Sequence, residues 1–249
     1  MVLIAADLLR PAGRVPRGLL IGLAAGIKLT PLAFGLIFLV RKDWRAVGAL
    51  GAGFLATAAI GWLAAPGESA AFWFGAMTDP ARVGDTTDIY NVSLNSLLAH
   101  LGAGGTLRQS LWILASLAVV MLGYAAIRRA EGDGDLVRAI SANAVVMLAI
   151  SPISWFHHWV WIAFLIPAAY LHSKRPGAGR TAELCITALL VPVMMFSSIT
   201  VTLILTGRVS GTGPPALELF TGLGVLLPVA LLVLWLRPGA AGPRREARG

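Results

Sequence analysis

The chain has 249 residues, 57% of them apolar and 13% charged, with a mean hydropathy of +0.78 and a formal net charge of +8. Soluble domains carry about 25% charged residues, so a water-soluble globule is excluded; long apolar runs recurring from residue 18 to residue 236 exclude a disordered chain, and a single cysteine excludes a disulfide scaffold. The positive charge lies in short clusters between apolar runs, which is a topology signal of membrane proteins and not the basic face of a nucleic-acid binder.

The opening residues up to Leu9 carry Asp7 and no basic region, and no small-residue cleavage site follows. They are not a signal peptide and read as the last turns of a helix. The run 18–40 comes next, with Arg10, Arg14 and Arg17 before it and Arg41, Lys42 and Arg45 after it. An ordinary crossing would put one of these clusters outside. Its centre reads Ile27-Lys28-Leu29-Thr30-Pro31, and a charge and a proline there predict a broken or re-entrant helical hairpin with both ends cytoplasmic. A kinked full crossing is the alternative.

Six further spans follow at 46–65, 109–127, 136–150, 155–171, 181–206 and 216–236, sized to a hydrocarbon core of about 30 Å. The third and fourth are separated by Ser151-Pro152-Ile153-Ser154, where proline disfavours helix in the residue before it. They read as two helices meeting at one membrane face, or else as one kinked span. Cys185 reads as a small apolar residue inside its helix. Trp44, Trp62, Trp112, Trp155 and Trp235 fall near span ends, as interfacial belts do.

The connections 41–45, 128–138 and 172–180 hold three Lys or Arg each and the tail 237–249 holds four, which makes them cytoplasmic. The alternating connections hold only Arg82, Arg108 and Arg208 and are extracytoplasmic. The expected fold is therefore all-α: one polytopic transmembrane domain over 1–236, with about six spans and the hairpin, ending in a basic, disordered cytoplasmic tail.

The outer loop 66–106 is long enough to hold a site. Phe72, Trp73 and Phe74 form an aromatic segment suited to the interface. Arg82 stands between Asp79 and Asp85, either as a structural ion pair or as an anion-binding group. Beyond them Asn91-Val92-Ser93 opens a helix with Leu94, Leu97, Leu98 and Leu101 on one stripe, so Asn91 or Ser93 is its N-cap. His157 and His158 sit at the outer end of a span; adjacent residues diverge by about 100° on a helix, so they do not form a metal pair, and no metal or cofactor is expected. They are either packing groups at the interface or donors to a phosphate oxygen. Lys28 either snorkels to water or faces a buried anion. A charge in mid-run costs roughly 2.5 to 3.5 kcal/mol to insert, which favours function.

Taken in order, the segment from Gly22 through Lys28 to Pro31, the stretch 79–84, Asn91-Val92-Ser93-Leu94 and the segment from Ser151 through Trp155, His157 and His158 to Trp159 resemble glycosyltransferase family 87. These are bacterial membrane mannosyltransferases of the GT-C fold that use a polyprenyl-phosphate mannose donor. The family usually has Gln where this chain has Val92 and often a basic residue at Asn95. The resemblance implies transfer of mannose to a cell-envelope glycolipid or glycan at the outer face of the bacterial plasma membrane. It makes Arg82, His157 and His158 holders of the phosphate, with Lys28 joining them if the hairpin reaches that depth. Asp79 and Asp85 would position the acceptor or act as base. Asn91, Ser93, Asn95 and Trp155 would contact the sugar or its carrier. It also implies that the chain is the C-terminal portion of such an enzyme, with the general base upstream. The competing readings are a transporter with its substrate site at Lys28 and a noncatalytic membrane subunit.

Overall fold

The structure, a computed structural model, describes residues 1–10, 13–78, 84–175, 179–195, 203, 206, 207 and 215–237. In chain order its helices are α1 (Val2–Leu9), α2 (Leu19–Ile27), α3 (Gly35–Arg41), α4 (Trp44–Ala64), α5 (Pro66–Phe74), α6 (Leu94–His100), α7 (Gly105–Gly132), α8 (Leu136–Ile150), α9 (Ile162–Ser173), α10 (Arg180–Met195) and α11 (Pro215–Leu234), with 3-10 turns at Thr30–Phe34, Ala76–Thr78 and Phe156–Trp161. Among the described residues there is no strand, only an isolated antiparallel bridge between Asn91 and Trp155.

Helix starts follow local chemistry. Asp43, Ser93 and Asp135 each turn a side-chain oxygen onto a backbone N–H of the first turn, at Ala46, Ser96 and Arg138, capping α4, α6 and α8. Of the two candidates for the α6 cap, the structure selects Ser93.

The core is built around α8, whose residues from Arg138 to Ala149 are all buried, against the long helix α7. Helices α4 and α7 are long and apolar enough to cross a membrane, yet only 17% and 22% of their most apolar stretches are buried. A helix in a soluble core is covered all round; these two present Leu55, Ile60 and Leu63, and Leu114, Leu117 and Met121, outward. An all-helical bundle with apolar flanks is the surface of a membrane protein.

The segment 18–40 folds back on itself. Gly18 lies against Ala46, Gly22 against Leu50 and Phe54, and Gly26 against Thr57, so α2 runs alongside α4 in the same direction. After the break at Lys28, the chain returns through the 3-10 turn and α3 to Arg41, three residues before α4 begins. Both ends of the segment therefore lie at the same end of α4, as the flanking arginines require of a hairpin. Pro31, which has no N–H to give, sits in the first turn of the 3-10 stretch. Asn143 of α8 donates to the Ala33 carbonyl at 3.0 Å and holds that turn from below.

The basic connections gather at one end of the bundle. Arg41 makes a paired contact with Glu131 at 2.8 Å, Arg175 meets Asp135 at 2.9 Å, and the fully buried Arg138 pairs with Asp133. Burial works against the Asp133 carboxylate, but Arg138, Arg129 and Arg175 outweigh it and hold the group below the usual carboxylate range. At this same end His172 donates to the buried Glu183 at 2.9 Å, and Trp235 donates to it at 2.6 Å, tying α9, α10 and α11 together. Trp235 is thus fully buried and not part of an interfacial belt, because its indole N–H has a carboxylate to satisfy. Replacing Trp235 with Phe keeps an aromatic ring at this buried position but removes that charge-assisted bond and part of the packed surface. Its expected effect is a loss of about 1.5–3 kcal/mol, read as a lower melting midpoint in detergent, and an unchanged midpoint would show the bond to be idle.

Three expected boundaries move. Helix α7 starts earlier and continues past Arg128 and Arg129 to Gly132, since arginine is a good helix former and the stop comes from Gly134 at φ 68°. The span expected from residue 155 begins as a 3-10 turn, and its α-helix starts at Ile162. Helix α10 is described to Met195; the remainder of the expected span 181–206 lies almost wholly outside the described residues, as does the tail beyond Arg237. Cys185 is exposed on α10.

Candidate active site

At the end opposite the arginine pairs, two loops far apart in sequence are stitched together. Val92 donates its backbone N–H to the Ser154 carbonyl at 2.7 Å, and the Asn91 amide closes the seam: its oxygen accepts from the Ser154 N–H at 2.9 Å while its nitrogen donates to Pro152 at 3.1 Å and to Thr86 at 3.2 Å. Ser93 adds a bond to Pro152 at 3.3 Å, and Trp159 donates back to Val92 at 3.1 Å. The Ser151-Pro152-Ile153-Ser154 stretch cannot continue α8, and its freed backbone groups are satisfied across the chain by Asn91. Asn91 and Ser93 are both 1% exposed, so their polar atoms are committed to this seam. Asn95, in the first turn of α6, is buried as well.

Beside the seam, Trp155 lies over Gly84. A Cβ there would stand 2.5 Å from the indole, and Gly84 has φ 150°, so the position suits glycine twice over. Asp85 accepts from both the N–H and the hydroxyl of Thr87 at 2.8 Å. Those two bonds, backbone first, hold its carboxyl below the usual range, in the direction opposite to that of a general base poised near neutrality. Asp79 and Arg82 lie outside the described residues. Phe72, Trp73 and Phe74 sit at the end of α5, where Trp73 meets Phe54 and Phe74 meets Trp62 edge-on, turning the aromatic segment back onto α4.

The seam presents the histidine pair. In the 3-10 turn the two rings stand 4.4 Å apart, centroid to centroid, and both line one cavity of about 480 Å³. Lys28, from the tip of the 18–40 hairpin, reaches the same cavity and hydrogen-bonds through its side-chain nitrogen to His158 Nε2 at 2.7 Å across 130 residues of sequence. The other ring nitrogen, Nδ1, accepts the Trp155 backbone N–H at 3.1 Å. A neutral imidazole with Nδ1 as acceptor carries its proton on Nε2. Both nitrogens are able to donate, and an anionic oxygen that displaced their mutual bond would accept from each. The cavity also includes Ala24, Pro31 and Trp161. Its neighbour, an apolar groove of about 520 Å³ between α7, α8 and the 3-10 turn, shares Thr30 and Met147 with it.

The sequence profile of glycosyltransferase family 87 matches residues 1–152. The chain belongs to this family. It is 37% identical over 190 residues to the polyprenol-phosphate-mannose-dependent alpha-(1-2)-phosphatidylinositol mannoside mannosyltransferase of Mycolicibacterium smegmatis, covering 73% of this chain and 43% of that protein. To the protein of the same description from Mycobacterium tuberculosis it is 33% identical over 180 residues, covering 72% of this chain and 42% of the relative. A pentamannoside mannosyltransferase of M. smegmatis matches at 37% over 150 residues, 58% of this chain and 35% of that protein. The chain thus spans less than half the length of the curated relatives it matches. No solved structure matches it. The family match takes in Lys28 and the Asn91 to Pro152 seam and ends before His157 and His158.

One feature that decides the site's geometry was not singled out from the sequence. Gly18, Gly22 and Gly26 repeat at every fourth residue and form the face by which α2 seats on α4. Small residues at that spacing let two membrane helices touch backbone to backbone, so the pattern was there to be read.

Proposed function

We propose that this chain is part of a membrane mannosyltransferase of the GT-C type that transfers mannose from a polyprenyl-phosphate donor to a phosphatidylinositol mannoside or a related cell-envelope glycolipid. The observation that carries this reading is the hydrogen-bonded pair Lys28 Nζ and His158 Nε2, both able to donate to an anion, in a cavity beside an apolar groove. A phosphate ester on a long hydrocarbon is the ligand whose two halves match those two walls. As the bond between the anomeric carbon and the phosphate oxygen breaks, charge collects on the phosphate, and fixed donors stabilise it most when they are already in place.

In this proposal Lys28, His157 and His158 hold the phosphate together with Arg82, and the groove takes the isoprenoid. Asp79 and Asp85 position the acceptor. Asn91 and Ser93 act through the seam that fixes the histidine turn, while Asn95 and Trp155 shape the sugar pocket. The topology is about six spans plus the hairpin, with the seam on the extracytoplasmic side; the charge asymmetry between the two ends of the bundle supports that orientation. A transporter reading is weaker, because the polar groups concentrate at one end and not near the midplane.

The test uses membranes carrying the full-length protein, labelled polyprenyl-phosphate mannose and a phosphatidylinositol mannoside. Mannolipid product is the expected outcome. Absence of product together with no retention of the donor would overturn the reading.

A further inference from the structure

A second pocket lies at the opposite end of the bundle from the histidines. It has a volume of about 430 Å³ and is formed where the last turns of α7 meet the end of α11; its walls are Tyr124, Arg128, Arg129, Asp133 and Leu236 with intervening small residues. Nothing in the proposed transfer reaction uses it.

Its chemistry is divided in the way a lipid is divided. Along α7 the outward residues Leu107, Leu111, Leu114, Leu117, Met121 and Tyr124 form one exposed apolar stripe at three- and four-residue spacing. The stripe ends at Arg128, one turn beyond Tyr124. Among the described residues Arg128 has no ion-pair partner, while Arg129 is 3.9 Å from Asp133 and its Nε has no hydrogen-bond acceptor. The carboxylate in the pocket wall is already engaged: Asp133 is paired with Arg138 and lies 3.3 Å from Arg175. The pocket therefore offers positive charge at the end of a track that fits an acyl chain.

We infer that this pocket binds the headgroup phosphate of an anionic phospholipid, with Arg128 and Arg129 on the phosphate and an acyl chain along the α7 stripe. A basic pocket between membrane helices is a suitable headgroup site. Free phosphate would satisfy the arginines but leave the stripe unused, whereas a zwitterionic lipid would cover the stripe and bring no net charge. The inference needs α7 to be a membrane helix and does not depend on glycosyl transfer.

Native mass spectrometry of the full-length protein released from detergent separates the outcomes. Phosphatidylglycerol and phosphatidylcholine of identical chains are added in turn, with inorganic phosphate as a third arm. The expected result is one phosphatidylglycerol retained at collision energies that strip phosphatidylcholine. Arg128→Gln should reduce that retention about fivefold, and the Arg128→Gln, Arg129→Gln double variant by more than tenfold. The single variant keeps the test decisive if the double fails to fold, since Arg128 has no partner to lose. Equal retention of the two lipids, full retention of phosphatidylglycerol by the variants, or an equally occupied inorganic phosphate adduct would each overturn the assignment. Loss of lipid discrimination with mannosyl transfer intact would sink this inference alone.

Discussion

Replacing Lys28 with methionine is expected to lower mannosyl transfer by the full-length protein by about 10²- to 10³-fold, the scale on which one preplaced donor to a developing oxyanion acts. His158→Ala should fall in the same range. The two together should cost little more than either alone, because groups that hold one phosphate act as a unit. The size of the accompanying stability change discriminates this role from a structural one. In the ligand-free protein Lys28 is exposed and hydrogen-bonded to His158. A bond at an exposed site contributes about 1 kcal/mol or less, so the melting midpoint should hardly move while transfer collapses. Lys28→Arg, which keeps the charge with a different reach, should recover part of the rate. Transfer above half the wild-type rate in Lys28→Met would remove the lysine from the phosphate, and a falling midpoint would make it a structural group.

The second large effect is expected at Gly22. A Cβ there would run into the Leu50 carbonyl oxygen and stand 2.9 Å from the Phe54 nitrogen, both of them backbone atoms that cannot swing aside. Gly22→Ala should therefore force α2 off α4, lowering stability by about 1–3 kcal/mol, and Gly22→Leu should leave little folded protein. Since α2 carries Lys28 at its end, the alanine variant should also lose transfer in excess of what its stability explains. Gly48 on α4 is the control: a Cβ there meets nothing within 4 Å, and Gly48→Ala should stabilise by up to about 1 kcal/mol through helix propensity. Melting midpoints and transfer rates of both variants check the pair, and equal behaviour of Gly22→Ala and Gly48→Ala would refute the close seat.

Much of this is legible in the amino-acid sequence. Spacing of apolar runs and the bias of arginine between connections are strong signals because lipid leaves the backbone few alternatives. They gave the helical class and the hairpin at Lys28. Helix ends were less legible. Arg128 and Arg129 end the apolar run of α7 without ending its helix, and an apolar pattern does not distinguish the 3-10 turn at 156–161 from the α-helix that follows. For the site, the residues marked Asn91 as a candidate cap of α6, whereas its amide bonds to Ser154, Pro152 and Thr86 and the cap is Ser93. That exchange rests on contacts across some sixty residues, for which no local pattern exists. The approach of Lys28 to His158 is of the same kind. Trp235 was misplaced at a belt because its partner, Glu183, comes from another helix.

The seam between Asn91 and Ser154 also dictates an order of events during biosynthesis. Lys28 and Asn91 enter the membrane early, but the carbonyls of Pro152 and Ser154 and the ring of His158 emerge from the ribosome only after α8 has been made. Until then the hairpin tip and the loop at Asn91 lack these partners. A nascent chain halted before residue 150 would hold its lysine and its loop unjoined, open to quality-control proteases, and would become resistant to them only within the short stretch of translation that delivers the histidine turn.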